Sequence, residues 1–177
     1  MRLFVALLLS EEMKDALCES QQALREHACG GNFSRRENLH LTLAFLGDCP
    51  PSAIPRIRRA METAAGTAEP FSLALERMGR FRGGGADLWW AGVKKQPALT
   101  NLAVNLQAAL RSGGFPLEDR PFAAHLTLAR QVDAPGLRPE ELLLPAASQQ
   151  IRAMSLMEST RVKGVLTYRE ILSVPLD

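Results

Sequence analysis

Cysteine, aromatic rings and net charge are all scarce in this 177-residue chain, and each shortage removes a class of explanation. The three cysteines, Cys18, Cys29 and Cys49, form no CxxC pair and are odd in number. That pattern argues against a disulfide framework and for reduced thiols in a cytoplasmic setting. Lysine and arginine total 21 against 19 aspartate and glutamate, a net charge of +2, so there is no electrostatic basis for an extended nucleic-acid-binding face. A small anion held by a few local donors fits that balance. No stretch reaches the roughly 18 apolar residues that would suggest a membrane span. The run Leu3–Leu9 superficially looks like a signal sequence, but it leads straight into Ser10-Glu11-Glu12 without a small-residue cleavage site, which predicts a buried first strand. Histidine is as scarce as cysteine, with three copies.

What the chain has is enough apolar material, 46% of residues, to bury a core. The pattern predicts a strand over 2–9 and a helix from an N-cap at Ser10 to about Ala28, with Met13, Ala16, Leu17 and Leu24 on one face. Gly30-Gly31-Asn32 breaks that helix. A strand follows over 39–46, then a helix over 52–65 with Pro55 in its first turn. Residues 71–78 and 87–93 read as a hairpin with a loose loop at 79–86. A helix is expected over 97–110, a strand over 124–129, a helical turn over 139–143, and strands over 151–158 and 168–174. This order, mixed rather than regularly alternating, favours an α+β fold with mostly antiparallel sheets.

Self-comparison yields the sharpest signal. Leu39-His40-Leu41-Thr42-Leu43-Ala44 and Ala124-His125-Leu126-Thr127-Leu128-Ala129 share the pentapeptide His-Leu-Thr-Leu-Ala. Two of three histidines in identical pentapeptides point to a duplicated lobe. On a strand, alternation sets His40 and Thr42 on one face and the leucines on the other, and the same parity holds for His125 and Thr127. Two lobes brought together would then form a cleft with two imidazoles and two hydroxyls facing inward. Such a pair suits in-line displacement at phosphorus: a neutral imidazole takes a proton from water and a protonated one gives a proton to the leaving oxygen. The hydroxyls donate to non-bridging oxygens. Acid–base catalysis of this kind supplies about 10²–10⁴-fold, so the ester must already be reactive, as a strained cyclic phosphate is.

At these residues the chain resembles the two-histidine phosphoesterases, and within them the bacterial RNA 2′,3′-cyclic phosphodiesterases, also called 2′-5′ RNA ligases (LigT-like). The resemblance runs through residues 37–47 and 120–130 and the opening Arg2-Leu3-Phe4-Val5-Ala6. It implies a bilobal fold: residues 1–177 as one unit of two related, intertwined lobes of mostly antiparallel sheet, helices outside, and a central cleft. It also implies metal-independent hydrolysis, without a cofactor, of an RNA 2′,3′-cyclic phosphate to a 2′-phosphomonoester. His40 would be the proton donor and His125 the acceptor, though the motifs themselves leave the roles interchangeable. Thr42 and Thr127 would hold the phosphate. The implied partner is an RNA or oligonucleotide end carrying a cyclic phosphate, met by a monomer, with 2′-5′ joining as the reverse reaction. The rivals are a phosphodiesterase for small 2′,3′-cyclic nucleotides and a non-catalytic binder of phosphate-bearing RNA ends.

Other residues are weaker candidates. Arg130 matches the family's arginine after the second motif and could hold a phosphate oxygen, but strict alternation sets it opposite His125 unless the strand bends. Phe45 is expected in the core. Arg80-Phe81-Arg82 reads as a solvated loop, with contact to RNA the less favoured alternative. His27 closes a helix, where a positive ring suits the dipole. A zinc site would need ligands at spacings the chain does not offer.

Overall fold

The computed structural model describes residues 1–83 and 86–177. The apolar opening forms β1 (Arg2–Leu8), whose residues 3–7 are all buried. Ser10 then caps α1 (Glu11–His27), its hydroxyl accepting the Met13 amide at 3.2 Å, a contact worth about 1 kcal/mol. The chain continues through β2 (Gly30–Phe33), β3 (His40–Asp48), α2 (Ile54–Ala65), β4 (Phe71–Arg82), β5 (Asp87–Val93), α3 (Pro97–Ser112), β6 (Leu126–Asp133), β7 (Ser148–Ile151), β8 (Ala153–Val162) and β9 (Val165–Pro175), with short 3₁₀ turns at Arg36–Asn38, Pro51–Ala53 and Pro139–Glu141.

Two sheets result, one ordered β3-β1-β8-β9 and the other β2-β6-β5-β4-β7. Their pairings are antiparallel, and the fold is α+β. The chain crosses repeatedly between sheets: β1 and β3 belong to the first, β2 and β4 to β7 to the second, β8 and β9 to the first. α1 leaves β1 yet packs on β6 and β7 of the other sheet, while α3 leaves β5 and packs on α2 and β3. One continuous core therefore joins Leu3, Leu41 and Leu43 of the first sheet to Trp89, Leu126 and Leu128 of the second. Fully burying each such leucine stabilises the fold by about 1.5–3 kcal/mol. The sheets meet where β3, an edge strand, touches β6. On the opposite face of the first sheet, Phe4, Ala6 and Met157 form a small cluster with Tyr168 against it.

Several expectations need correction. β4 continues to Arg82, with Gly79, Arg80, Phe81 and Arg82 paired to Trp90, Trp89, Leu88 and Asp87, so the first half of the expected loop is strand. Its remainder at 84–85 lies outside the described residues. Arg80 is half-buried rather than solvated: it donates to the Leu137 carbonyl at 2.9 Å and lies 3.7 Å from Asp87. The glycine-rich break after α1 contains β2, held by pairing with β6, and β7 forms by pairing with β4. Both are four-residue edge strands whose partners, not their own periodicity, make them strands. β8 and β9 join through Lys163-Gly164, both at positive φ (51° and 79°), the backbone that a two-residue hairpin turn needs to match strand twist.

Candidate active site

His40 begins β3 and is half-buried. Its Nδ1 lies 2.7 Å from the carbonyl of Asn38 and its Nε2 2.8 Å from the Thr42 hydroxyl. A carbonyl only accepts, so Nδ1 carries a proton and Nε2 is the nitrogen that gains or loses one. Asn38 is itself pinned. Its side-chain amide donates to the Leu166 carbonyl at 3.0 Å, and its Oδ1 accepts the Tyr168 amide at 3.2 Å. The 3₁₀ turn that carries the His40 acceptor is thereby tied to β9. Phe4 lies 4.9 Å from the imidazole and Tyr168 meets it edge-on at 5.2 Å. Burial pushes the His40 pKa below its ordinary 6.5. The Asn38 carbonyl partly opposes that shift, and the nearby charges of His125 and Arg130 add to it.

His125 repeats the arrangement on the second sheet. Its Nδ1 lies 2.8 Å from the carbonyl of Ala123, again two residues back, and Phe81 meets its ring edge-on at 5.4 Å. The ring sits one residue before β6, which begins at Leu126, so the strand was expected to start two residues early. A cavity of about 630 Å³ is lined by His125, Arg130, Thr42, Phe45, Phe81 and Arg120 among others. His40 is not itself among the lining residues; its Nε2 lies against the hydroxyl of Thr42, which is.

Arg130 reaches the cavity because β6 bulges. From Trp89 to Asp87 β5 takes two steps while β6 takes three, Ala129 to Val132, and Gln131 adopts φ 54°. Alternation already breaks one step before, where β5 goes from Trp90 to Trp89 and β6 from Thr127 to Ala129: Leu128 and Ala129 are both buried and Arg130 is exposed. Bulges re-aim side chains in this way, so the bend on which the Arg130 expectation depended is present. Phe45 is also not core. It is 47% exposed, with the Arg2 guanidinium stacked on its ring at 4.7 Å. Thr127 does not mirror Thr42. It is half-buried across from Trp90, is not among the cavity-lining residues, and its hydroxyl makes no hydrogen bond among the described residues. Among the described residues, no three His, Cys, Asp or Glu side chains are grouped to hold a metal ion, and no helix is long and apolar enough to cross a membrane. Asn38, Trp90 and Tyr168 were not singled out as site residues by pattern, and Phe81 was weighed only for contact with RNA. Only the position of Asn38, two residues before His40, could have drawn attention to it.

The model of the 2′-5′ RNA ligase superfamily matches residues 13–163. The chain belongs to that superfamily. Similar relatives include an RNA 2′,3′-cyclic phosphodiesterase of Geobacillus stearothermophilus, 36% identical over 98% of this chain and 56% of that protein. Another, of Archaeoglobus fulgidus, is 34% identical over 73% of this chain and 72% of its own length. This chain thus spans little more than half the Geobacillus superfamily member. Among solved structures, a Thermus thermophilus protein is 30% identical with a TM-score of 0.84, covering 99% of this chain and 98% of its own. Escherichia coli LigT in complex with 3′-AMP is 26% identical with a TM-score of 0.77, over 99% and 97%.

Proposed function

We propose that the chain hydrolyses RNA 2′,3′-cyclic phosphodiesters to 2′-phosphomonoesters through His40 and His125. One observation carries the reading: both imidazoles hold Nδ1 on a backbone carbonyl two residues back, which leaves each Nε2 to exchange a proton, His125 lining the cavity and His40 reaching it beside Thr42. Water attacks phosphorus as the P–O3′ bond breaks. His125 Nε2 takes the water proton and His40 Nε2 gives one to the departing 3′ oxygen. In the free protein burial disfavours the charged His40 ring, and in the neutral ring with Nδ1 protonated the Thr42 hydroxyl donates to Nε2. The arriving phosphate anion stabilises the imidazolium and readies it as the acid. Thr42 and Arg130 meet the non-bridging oxygens, with Thr127 the more distant candidate. A 5′-hydroxyl attacking phosphorus in place of water, with the same P–O3′ bond breaking, would join ends through a 2′-5′ bond, a step that 3′-hydroxyl attack reverses.

The names of the superfamily relatives support the substrate class, and the exposed Phe45, which lines the cavity with Thr42, offers a nucleobase a flat surface. Both motifs lie in one chain, which supports a monomer as the working unit. The free thiols of Cys18, Cys29 and Cys49 suit a cytoplasmic enzyme.

The test is hydrolysis of an oligoribonucleotide ending in a 2′,3′-cyclic phosphate. His40→Ala and His125→Ala should each lower kcat by about 10²–10⁴-fold, the pH profile should be bell-shaped, and chelator should leave turnover intact. Loss of activity in chelator with recovery on adding metal defeats the mechanism. An aryl phosphodiester with an activated leaving group should rescue His40→Ala and not His125→Ala; the opposite pattern exchanges the roles.

A further inference from the structure

Beyond the cavity that holds His125, an aromatic path leads away over the second sheet. Phe81 is 45% exposed and lies 5.4 Å from the His125 ring; Trp90 lies 5.3 Å further on, tilted against Phe81. The surroundings of Trp90 are cleared for it. A Cβ at the cross-strand Gly79 would sit 2.2 Å from Trp90 Cζ2, and one at Gly92 would sit 3.1 Å from Cζ3. The indole therefore lies flat across the positions where two side chains would stand. Its Nε1–H is covered and finds no acceptor among the described residues, so its placement is not set by a hydrogen bond. The indole of Trp89 shares that lack; what sets Trp90 apart is that it is only half-buried.

Trp90 also lines a second cavity, about 920 Å³, between β4 and the segment that follows Arg138. Both cavities fall in the size range of ligand sites. The charged groups of the second are Arg77, Arg80 and Arg138 against Glu76, Glu140 and Glu141. Arg80 is engaged with Leu137 and Asp87, and Arg138 with Glu141. Signs balance, so this groove does not attract a phosphate backbone, and what it offers is a ring face.

We infer that Trp90 is a stacking platform for a nucleobase of the RNA upstream of the cyclic-phosphate end, reached past Phe81 while the terminal nucleotide occupies the His125 cavity. The inference rests on the proposed activity toward RNA ends. It makes the enzyme a reader of strands rather than of single nucleotides. Stacking tolerates any base, because every base has a π face. Balanced charge in the groove means that the contact adds little to the salt dependence of binding.

The chain has two tryptophans, and Trp89 is fully buried, so quenching by a stacked base reports on Trp90. An oligoribonucleotide ending in a 2′-phosphate, the product and hence not turned over, is titrated into the protein beside the 2′-phosphomononucleotide of the same terminal base. The oligonucleotide should quench and the mononucleotide should not, and Trp90→Phe should abolish the signal while keeping most of the affinity. Trp90→Leu should weaken oligonucleotide binding by about ten-fold or more; should that variant not fold, the Trp90→Phe fluorescence comparison decides alone. No quench from an oligonucleotide whose cyclic form is hydrolysed, or equal quench from the mononucleotide, overturns the platform. Quenching by the oligonucleotide in a protein that hydrolyses no cyclic phosphate leaves the platform standing and removes the phosphodiesterase reading.

Discussion

Asn38→Ala is the substitution that best separates positioning from chemistry. The side chain does not line the cavity, yet it joins the turn before β3 to β9 through bonds of 3.0 and 3.2 Å to Leu166 and Tyr168. Its own backbone carbonyl holds His40 Nδ1 at 2.7 Å. Each lost hydrogen bond costs about 0.5–1.5 kcal/mol where water can reach the orphaned partner, and more where it cannot. Leu166 is 37% exposed, so the lower figures apply, and the pair together is worth about 2 kcal/mol. In a chain of this size that lowers the thermal midpoint by about 4–8 °C. Freed from β9, the turn lets the His40 ring drift, and misplacement on the order of 1 Å can cost about 10²-fold in rate. We therefore expect kcat for a cyclic-phosphate oligonucleotide to fall by about 10- to 100-fold while KM changes little, since nothing in the cavity is removed. Calorimetry and steady-state kinetics on the same preparation check both halves. An unchanged midpoint with unchanged kcat refutes the argument. So does a change confined to KM.

The remaining expectations concern the two motifs, the pH response and the indole. Thr42→Val should cost about 10²-fold in kcat, and Thr127→Val clearly less, because only Thr42 contacts an imidazole and lines the cavity; equal losses would restore the symmetric picture. The lowered His40 pKa means that the unfolded chain binds the proton more readily. The stability from keeping this ring neutral is present above the ordinary pKa near 6.5 and is lost as pH falls through that value toward the lower folded one. Chemical denaturation between about pH 7.5 and 5, wild type against His40→Gln, should show a flatter decline in the variant, and identical slopes would contradict the assignment. Gly79→Ala must displace the Trp90 indole, at about 1–3 kcal/mol. Denaturation together with a changed tryptophan emission spectrum would report it, and an unperturbed spectrum would show that the ring does not lie where described.

Much of the site could be read from the residues because its signal is local. His40 and Thr42 share a strand face by parity alone, and the repeat of their pentapeptide at His125 needed no fold to be noticed. The strands around them were likewise legible where apolar runs are long, as in β1, β3 and β5. The errors fall where neighbours decide. β2 and β7 exist because β6 and β4 offer them an edge. Phe45 is exposed because β3 turns that position away from the core, and Arg80 is drawn out of solvent by Leu137 and Asp87.

Composition and pattern by themselves determined an α+β chain with two histidine-threonine strands and the chemistry those side chains can perform, since periodicity and side-chain reactivity are properties of short segments. Only tertiary structure decided that Thr42 and His125 line one cavity, that irregularities in β6 send Arg130 into it, and that burial lowers the His40 pKa. These follow from register and from distance between residues far apart along the chain, which no segment carries alone.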